Sequence, residues 1–422
     1  MKKYMIGLIV VIIAIMTGCN KEESGTEMLI GTWNGAIQVP SQPLDIILNF
    51  NSNDDLTGTI SIPVQNVDEF ELTQINLKED TVTFKMPLSG QNIYFKGKLD
   101  DDKISGTFTQ QGKSFPFEVV RGEPKTDQSE EEENFLTIES PTGKLYGSLL
   151  TSEKSGPTPI AIIIPGSGPT DRNGNSPLLP GKNNSLKLLA EGLSEQGIAS
   201  LRYDKRGAGK NAQAITKEED LRFETFVDDA KQWINKLEED ERFSDIYVIG
   251  HSQGSLVGML AAQDSSADAF ISIAGAGRSI DQVLAEQLAT LPEELLKESE
   301  QILASLKRGK TVNEVDTQLM NVFKPRIQPF LISWMKYDPT KEIEKLSIPT
   351  MIINGKNDIQ VPAMDAELLA KAKPKAELLL IDQMNHVLKE APAVREKNLA
   401  TYSDPTLPLA EGLLSGIKKF LK

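Results

Sequence analysis

Hydrophobic and polar positions alternate with a period of two through residues 29–121. Short apolar-rich runs are separated there by turn segments such as Asn51 to Asp55 and Asp100 to Asp102. Short strands at a spacing of roughly 8–12 residues are typical of an antiparallel sandwich or a small barrel. We therefore predict an all-β domain over 29–121, with strands at 36–39, 44–50, 56–62, 81–86, 93–99, 103–109 and 114–120.

This first domain contains no histidine and no cluster of catalytic residue types. It is either a structural spacer or a module that binds a ligand or a partner. Trp33, Tyr94 and Phe95 could form such a binding surface, although aromatic residues at strand spacing more often belong to a core. The sequence does not decide between the two interpretations.

A change of pattern follows an acidic stretch. Residues 122–134 carry a run of four glutamates with proline and glycine, which cannot bury apolar area, and this composition predicts a linker. From residue 135 onward, apolar runs at 160–164, 199–202, 246–249, 269–273, 350–353 and 377–381 alternate with amphipathic helical stretches such as 185–196 and 224–238. This alternation predicts an α/β domain over 135–422 with a mainly parallel sheet, begun by antiparallel strands near 136–139 and 145–150.

The chain begins with two lysines, continues apolar from Met5 to Met16, and then reads Thr17-Gly18-Cys19. A basic start, a short apolar region and a small-residue site are typical of an export signal, here 1–18. The alternative is an uncleaved anchor with an incidental cysteine. The placement of Cys19 resembles a bacterial lipobox, which implies a lipid on its sulfur, a tether over 19–28, and attachment to the outer face of the bacterial cell membrane.

Composition narrows the chemistry further. The formal net charge is −15, so the chain is a poor candidate for nonspecific nucleic-acid binding. One cysteine excludes an intramolecular disulfide and a cysteine-rich zinc site, and we predict no metal and no cofactor. The two histidines, His251 and His386, limit the number of possible histidine-dependent roles.

The sequence Gly250-His251-Ser252-Gln253-Gly254 lies between the predicted strand 246–249 and a helical stretch. This G-x-S-x-G arrangement needs glycines on both sides of the serine because side chains there would clash in so tight a turn. The turn exposes the Ser252 hydroxyl at a helix N-terminus, where the N–H of Gln253 can meet an oxyanion. The alternative is an ordinary glycine-rich strand–helix turn.

A nucleophilic serine needs a general base and an acid that orients it. His386 follows the last predicted strand, whereas the side chain of His251 is expected to point away from Ser252 and to be structural. Asp358 follows the preceding strand, 350–353. Asp382 is the rival acid, and His386 could instead be a solvent-facing loop histidine. The order Ser252, Asp358, His386 is that of α/β-hydrolases.

The predicted strand 160–164 ends in a glycine-rich turn, Pro165-Gly166-Ser167-Gly168. Such a turn lets a backbone N–H approach a substrate oxygen and act as the second oxyanion donor. It could also cradle a phosphate, but it lacks the spacing of the nucleotide-binding motifs.

These motifs, with Leu201 to Lys210 (LRYDKRGAGK) and Asn385-His386-Val387-Leu388-Lys389, resemble the α/β-hydrolase superfamily over about 135–422. The resemblance is to exported bacterial carboxylesterases classed with serine aminopeptidase-like hydrolases, several of which carry a β-rich N-terminal module. It implies Ser252 as nucleophile, His386 as base and Asp358 as acid, with the N–H groups of Ser167 and Gln253 as the oxyanion hole. Relatives often have His-Gly where this chain has Pro165-Gly166, so the N–H used within 166–168 stays open. Arg202, Asp204 and Arg206 are expected to form a structural ion-pair network.

Residues 276–345 are predicted to form a helical cap between two strands. Four helical stretches are expected at 279–291, 293–307, 312–323 and 327–337, and the first begins with a capping-box pattern, Ser279 to Gln282. The apolar stripe of 293–307 either shapes an acyl or aryl pocket, as a lid does, or packs within the helix bundle.

The resulting hypothesis is a lipid-anchored serine hydrolase that cleaves small or medium carboxylic esters through an acyl-enzyme. An alternative is amide or peptide hydrolysis, which an acidic cap face at Glu293, Glu294, Glu298 and Glu300 could favour. An alternative of another class is a non-catalytic lipoprotein that binds a ligand. The expected partners are a small-molecule ester and, through the lipid, the membrane.

Overall fold

The structure is a computed structural model. It describes residues 27–422 except 40–42, 53–54, 64–66, 89–90, 111, 123–133, 153–155, 178, 180 and 215–216. The predicted signal 1–18, Cys19 and almost all of the tether and linker therefore lie outside the described residues. The chain divides into two compact units, represented mainly by the described residues before 123 and by those from 134 onward.

The first unit is a single nine-stranded antiparallel sheet. Its strands are β1 Gly31–Ile37, β2 Leu44–Ser52, β3 Leu56–Ile62, β4 Val67–Glu71, β5 Thr73–Lys78, β6 Thr81–Leu88, β7 Gln91–Asp100, β8 Lys103–Gln110 and β9 Lys113–Arg121. Their order is β4-β3-β2-β1-β9-β8-β7-β6-β5. The all-β prediction is confirmed, while β4 and β5 were not predicted.

Alternate residues of these strands form an apolar core. Phe50 on β2 contacts Phe84 on β6 edge to face at 5.6 Å, although several strands separate β2 from β6 in the sheet order. The sheet must therefore curl strongly, as in the barrel alternative of the prediction. Trp33 and Phe95 are buried in this core, while Tyr94 is exposed. Two of the three aromatic residues considered for a binding surface are thus core residues.

The second unit has an eight-stranded sheet. The strands are β10 Asn134–Ser140, β11 Gly143–Leu150, β12 Thr158–Ile164, β13 Ala199–Tyr203, β14 Phe243–His251, β15 Ala269–Ile273, β16 Thr350–Gly355 and β17 Glu377–Ile381. The order is β10-β11-β13-β12-β14-β15-β16-β17, and only the pairs β10–β11 and β11–β13 are antiparallel. The predicted α/β fold with an antiparallel start is confirmed.

Helices cover both faces of this sheet, as the mainly parallel strands require. The helices are α1 Ser185–Glu195, α2 Phe223–Glu238, α3 Gln253–Ala262, α4 Ile280–Leu288, α5 Glu293–Lys307, α6 Met320–Phe323, α7 Gln328–Trp334, α8 Pro339–Glu344, α9 Ala363–Ala372, α10 Arg395–Ala400 and α11 Leu413–Phe420. One core contains apolar residues of α2, α3, α8 and α9, and the other contains those of α1 and α11.

The segment between β15 and β16 is helical, as predicted for a cap. The five buried residues of α5 are Leu295, Ser299, Ile302, Leu303 and Leu306, the predicted stripe. Its leucines and isoleucine pack with Leu319, Phe323 and Leu331 of the cap itself. The observed contacts therefore fit the bundle-packing alternative for this stripe.

Two details of the cap prediction are wrong. The predicted helix over 312–323 is only α6, Met320–Phe323, because residues 312–319 form no regular secondary structure. Ser279 does stand at the N-cap of α4, but its side chain makes no capping hydrogen bond to the backbone, so the capping box is not formed. Among the described residues, no helix combines the length and apolar character that crossing a membrane requires.

Candidate active site

Two of the predicted site segments, the Gly166 turn and the Ser252 turn, lie where the strand order of the second sheet reverses. From β12, the chain moves to β13 on one side and then to β14 on the other. Connections that diverge in this way leave a crevice at the carboxyl ends of the two strands, the usual ligand site of open α/β sheets. The turn at Gly166 follows β12, and Ser252 follows β14.

Ser252 occupies a strained turn between β14 and α3. Its φ and ψ are 55° and −122°, a conformation that costs a non-glycine residue free energy and that clusters at functional sites. A Cβ on Gly250 would lie 2.2 Å from the Gly254 oxygen, and one on Gly254 would lie 2.3 Å from the Ile164 oxygen. Both glycines are therefore sterically required, as the motif predicted.

Asp358 and His386 are hydrogen-bonded to one another. His386 Nδ1 lies 2.8 Å from Asp358 Oδ2, and both side chains are buried. The other carboxylate oxygen, Oδ1, accepts the N–H groups of Gln360 and Val361 at 2.8 and 2.9 Å. Three donors thus fix the Asp358 carboxylate. His386 uses Nδ1 for this hydrogen bond, so its Nε2 takes no part in the contact with Asp358.

The rival acid is elsewhere. Asp382 forms an ion pair with Lys356 at 2.7 Å, and its side chain is 80% exposed. It follows β17, whereas Asp358 follows β16, and the two strands are parallel neighbours. Only Asp358 of these two carboxylates contacts His386 in the structure.

His251 contacts the loop that carries His386 and has the structural character expected of it. Its Nε2 donates to the backbone oxygen of His386 at 2.8 Å, and the two rings lie 5.0 Å apart. Burial, with a smaller contribution from His386, lowers the pKa of His251 to about 4. The ring is therefore neutral near pH 7, with the proton on Nε2, and links the Ser252 turn to the His386 loop.

The glycine-rich turn after β12 lies against Ser252. A Cβ on Gly166 would be 3.2 Å from the Cβ of Ser252, which shows how closely the two turns approach. The hydroxyl of Thr170 donates to the Ser167 oxygen at 2.6 Å and closes the turn. Within the described residues, the N–H groups of Ser167 and Gln253 donate no hydrogen bond, so both are available to a ligand.

Charged side chains of the segment Leu201 to Lys210 pair with residues outside it. Asp204 pairs with Arg172 at 2.9 Å, and Arg206 pairs with Asp229 at 2.6 Å, with all four side chains buried. Arg202 donates to the side chain of Asn173. Asp204 and Arg206 make the expected buried ion pairs, which attach the segment to the turn after β12 and to helix α2.

Lys205 is a further residue at the site. It is 5% exposed, and its Nζ donates to the Gly166 oxygen at 3.1 Å and to Gln253 Oε1 at 2.6 Å. In the sequence, Lys205 lies between Asp204 and Arg206, which is typical of a solvent-exposed loop. Its burial is seen only in the three-dimensional structure. Among the described residues, no cluster of three or more histidine, cysteine or acidic side chains is arranged to hold a metal ion.

Known hydrolases are similar in sequence to the second unit of the chain. Residues 183–391 match the family model described as serine aminopeptidase, S33. The esterase EstD of Thermotoga maritima is 28% identical to the chain over 297 residues, covering 68% of this chain and 67% of that protein.

Solved structures of esterases are also similar. Est1E from Butyrivibrio proteoclasticus covers 68% of this chain and 97% of its own length, at 20% identity and a TM-score of 0.45. An esterase of Pyrococcus furiosus covers 71% of this chain and 94% of its own length, at 18% identity and a TM-score of 0.44.

The matched residues 183–391 include Ser252, Asp358 and His386. The sheet order, the strained serine turn and the family match lead to one assignment. The second unit of the chain has the α/β-hydrolase fold, and residues 183–391 within it match the serine aminopeptidase S33 family model.

Proposed function

We propose that the protein is a carboxylic ester hydrolase that works through an acyl-enzyme on Ser252. The observation that carries the proposal is the hydrogen bond between buried Asp358 and His386, in the same domain as the strained serine turn. The 28% identity with the esterase EstD supports the choice of esters as the substrate class.

In the proposed reaction, His386 Nε2 takes the proton of the Ser252 hydroxyl as its oxygen attacks the ester carbonyl. Asp358 keeps the imidazole oriented through Nδ1 and stabilises its cation. The N–H groups of Ser167 and Gln253 bind the oxyanion, and the N-terminus of α3 adds favourable electrostatics. His386 then protonates the leaving alcohol, and water repeats the sequence on the acyl-enzyme.

A panel of matched p-nitrophenyl esters and a fluorophosphonate probe test this proposal. We expect turnover of short esters and labelling of Ser252, with both lost in Ser252→Ala and kcat lowered about 10³-fold or more in His386→Ala. Asp382→Ala is the matched control for Asp358→Ala, because only the latter removes the partner of His386. A wild-type protein that neither hydrolyses these esters nor reacts with the probe contradicts the proposal and favours a non-catalytic, ligand-binding protein.

Amide hydrolysis is the second candidate, because the matching family model is that of a serine aminopeptidase. The acidic cap face gives it little support. Glu293, Glu294 and Glu300 are solvent-exposed, and Glu298 accepts the N–H of Asp316 at 2.8 Å. Parallel kinetics on an ester and an amide with the same acyl group decide: amide turnover at or above the ester rate contradicts the ester proposal.

We also propose that the protein is exported and anchored through a lipid on Cys19. The support is the signal pattern of residues 1–18 and the position of the single cysteine directly after it. Cells that express Cys19→Ser should release ester hydrolase from the membrane fraction, and mass spectrometry of the wild-type N-terminal peptide should show a diacylglyceryl group. An unmodified cysteine in a membrane-bound wild type contradicts the lipid.

A further inference from the structure

The buried lysine Lys205 contacts both residues that supply the proposed oxyanion donors. Its Nζ donates to the backbone oxygen of Gly166 and to the side-chain oxygen of Gln253, at 3.1 and 2.6 Å. The first contact lies next to Ser167, and the second is made by Gln253 itself. No other ammonium group in the described structure donates to either of these oxygens.

The contact with Gly166 fixes the direction of a donor. The Gly166 oxygen and the Ser167 N–H belong to one peptide unit, and the described chain contains no cis peptide bond. In a trans peptide unit, the carbonyl oxygen and the N–H point in opposite directions. An ammonium on the oxygen side therefore orients the N–H away from Lys205, and it also polarises the peptide so that the N–H becomes a stronger donor.

The contact with Gln253 restrains the other donor. Gln253 is the first residue of α3, and its side chain is buried. Because Lys205 Nζ holds its Oε1, the side chain cannot fold over the N-terminus of the helix and compete for the free N–H. One ammonium thus bridges the two turns that follow β12 and β14.

The charge of Lys205 has no counterion among the described carboxylates. Its neighbours Asp204 and Arg206 pair with Arg172 and Asp229 instead, and the remaining contact of Nζ is the ring of Phe226 at 4.2 Å. Burial lowers the pKa of Lys205 to about 7. A buried ammonium without a carboxylate partner is costly, so a negative charge that develops nearby during the reaction would favour the protonated form of Lys205.

We propose that Lys205 is the positioning residue of the oxyanion hole. It orients the Gly166–Ser167 peptide, holds Gln253, and provides the positive charge that balances the oxyanion. This inference rests on the proposed ester hydrolysis at Ser252. Lys205 acts through the two backbone donors and does not contact the substrate.

The test compares Lys205→Met, which keeps the length of the side chain without donor or charge, with the wild type. We expect kcat for a p-nitrophenyl ester to fall about 10- to 100-fold, below the loss typical of deleting a donor itself, while KM changes less than about threefold. A boronic acid that forms a tetrahedral adduct on Ser252 should bind more weakly by a similar factor. Lys373→Met is the matched control, because Lys373 Nζ also donates to a backbone oxygen, that of Leu346.

A second variant covers the case in which Lys205→Met does not fold. Gln253→Met keeps the backbone N–H and removes only the acceptor of Lys205, so a smaller fall in kcat is expected, and the two losses should not add. Unchanged kcat and boronate affinity in the folded variants, or a change confined to KM, overturns the inference. A wild type without ester turnover or fluorophosphonate labelling instead overturns the proposed function.

Discussion

At the scale of single residues, the site is built from buried polar groups that each have a defined partner. Asp358 Oδ2 meets His386 Nδ1, and His251 holds the backbone of His386. Spacing along the sequence predicts the first pair, because both residues follow neighbouring parallel strands. It does not predict the role of Lys205, because a lysine within a run of charged residues gives no sign of burial.

The lowered pKa of His251 makes stability depend on pH. Its pKa of about 4 in the folded protein is below the unfolded value of 6.5, so the unfolded state binds more protons between these values. The stabilisation is complete above about pH 6.5 and is lost as the pH falls towards 4. Between pH 7 and pH 4, the wild type should lose about 3 kcal/mol more free energy of unfolding than His251→Phe.

Urea unfolding of the two proteins at both pH values measures this difference. His251→Phe is the reference for the wild type, because phenylalanine does not titrate but is a planar side chain of similar size. Equal acid sensitivity of the two proteins would show that His251 is not buried in its neutral form.

At the scale of elements, the strands that sequence patterning missed are informative. β4 and β5 form the two ends of the first sheet, and every described residue of β5 is exposed or only half-buried. An end strand has neighbours on one side only, so its sequence carries charged and polar residues and lacks a clear apolar alternation. The inner strand β3, which is largely buried, has the bounds 56–62 that the sequence predicts.

The start of the cap is attached to α9 by one carboxylate. Asp365, 1% exposed in its side chain, accepts the N–H groups of Gly277 and Arg278 and pairs with the Arg278 guanidinium at 2.8 Å. Asp365→Ala should lower the free energy of unfolding by about 3–5 kcal/mol, because it removes a buried charge partner and leaves donors unsatisfied.

Glu286→Ala is the matched control for this change. Glu286 pairs with the same Arg278 at 2.7 Å, but its side chain is 56% exposed, so its loss should cost less than about 1 kcal/mol. Chemical denaturation of both variants measures the contrast. Similar losses in the two variants would mean that burial does not set the strength of these pairs.

At the scale of the whole molecule, every proposed catalytic residue belongs to the second unit. The division into a β-rich and an α/β part follows from the change of hydrophobic period, which is a property of long segments and is therefore readable from sequence. The hydrophobic pattern does not predict the substrate, because proteins with the same fold catalyse many different reactions through residues on their loops.

A chain that begins at residue 134 tests the independence of the second unit. It contains a complete sheet with helices on both faces, so it should fold and retain kcat/KM on a small ester within about a factor of three of the full chain. Circular dichroism establishes its folding and p-nitrophenyl ester kinetics its activity. A folded truncated chain with a loss above about tenfold would assign the first unit a part in catalysis.

The positions of the proposed catalytic residues along the chain also determine when the site can form during synthesis. Ser252, Asp358 and His386 follow β14, β16 and β17, so His386 is translated last. The segment beyond it also contributes, because Lys389 pairs with Leu409 and Ala410 donates to Leu388. The proposed site can therefore assemble only after nearly all of these residues have left the ribosome. We expect shorter translation products to lack the proposed hydrolase activity.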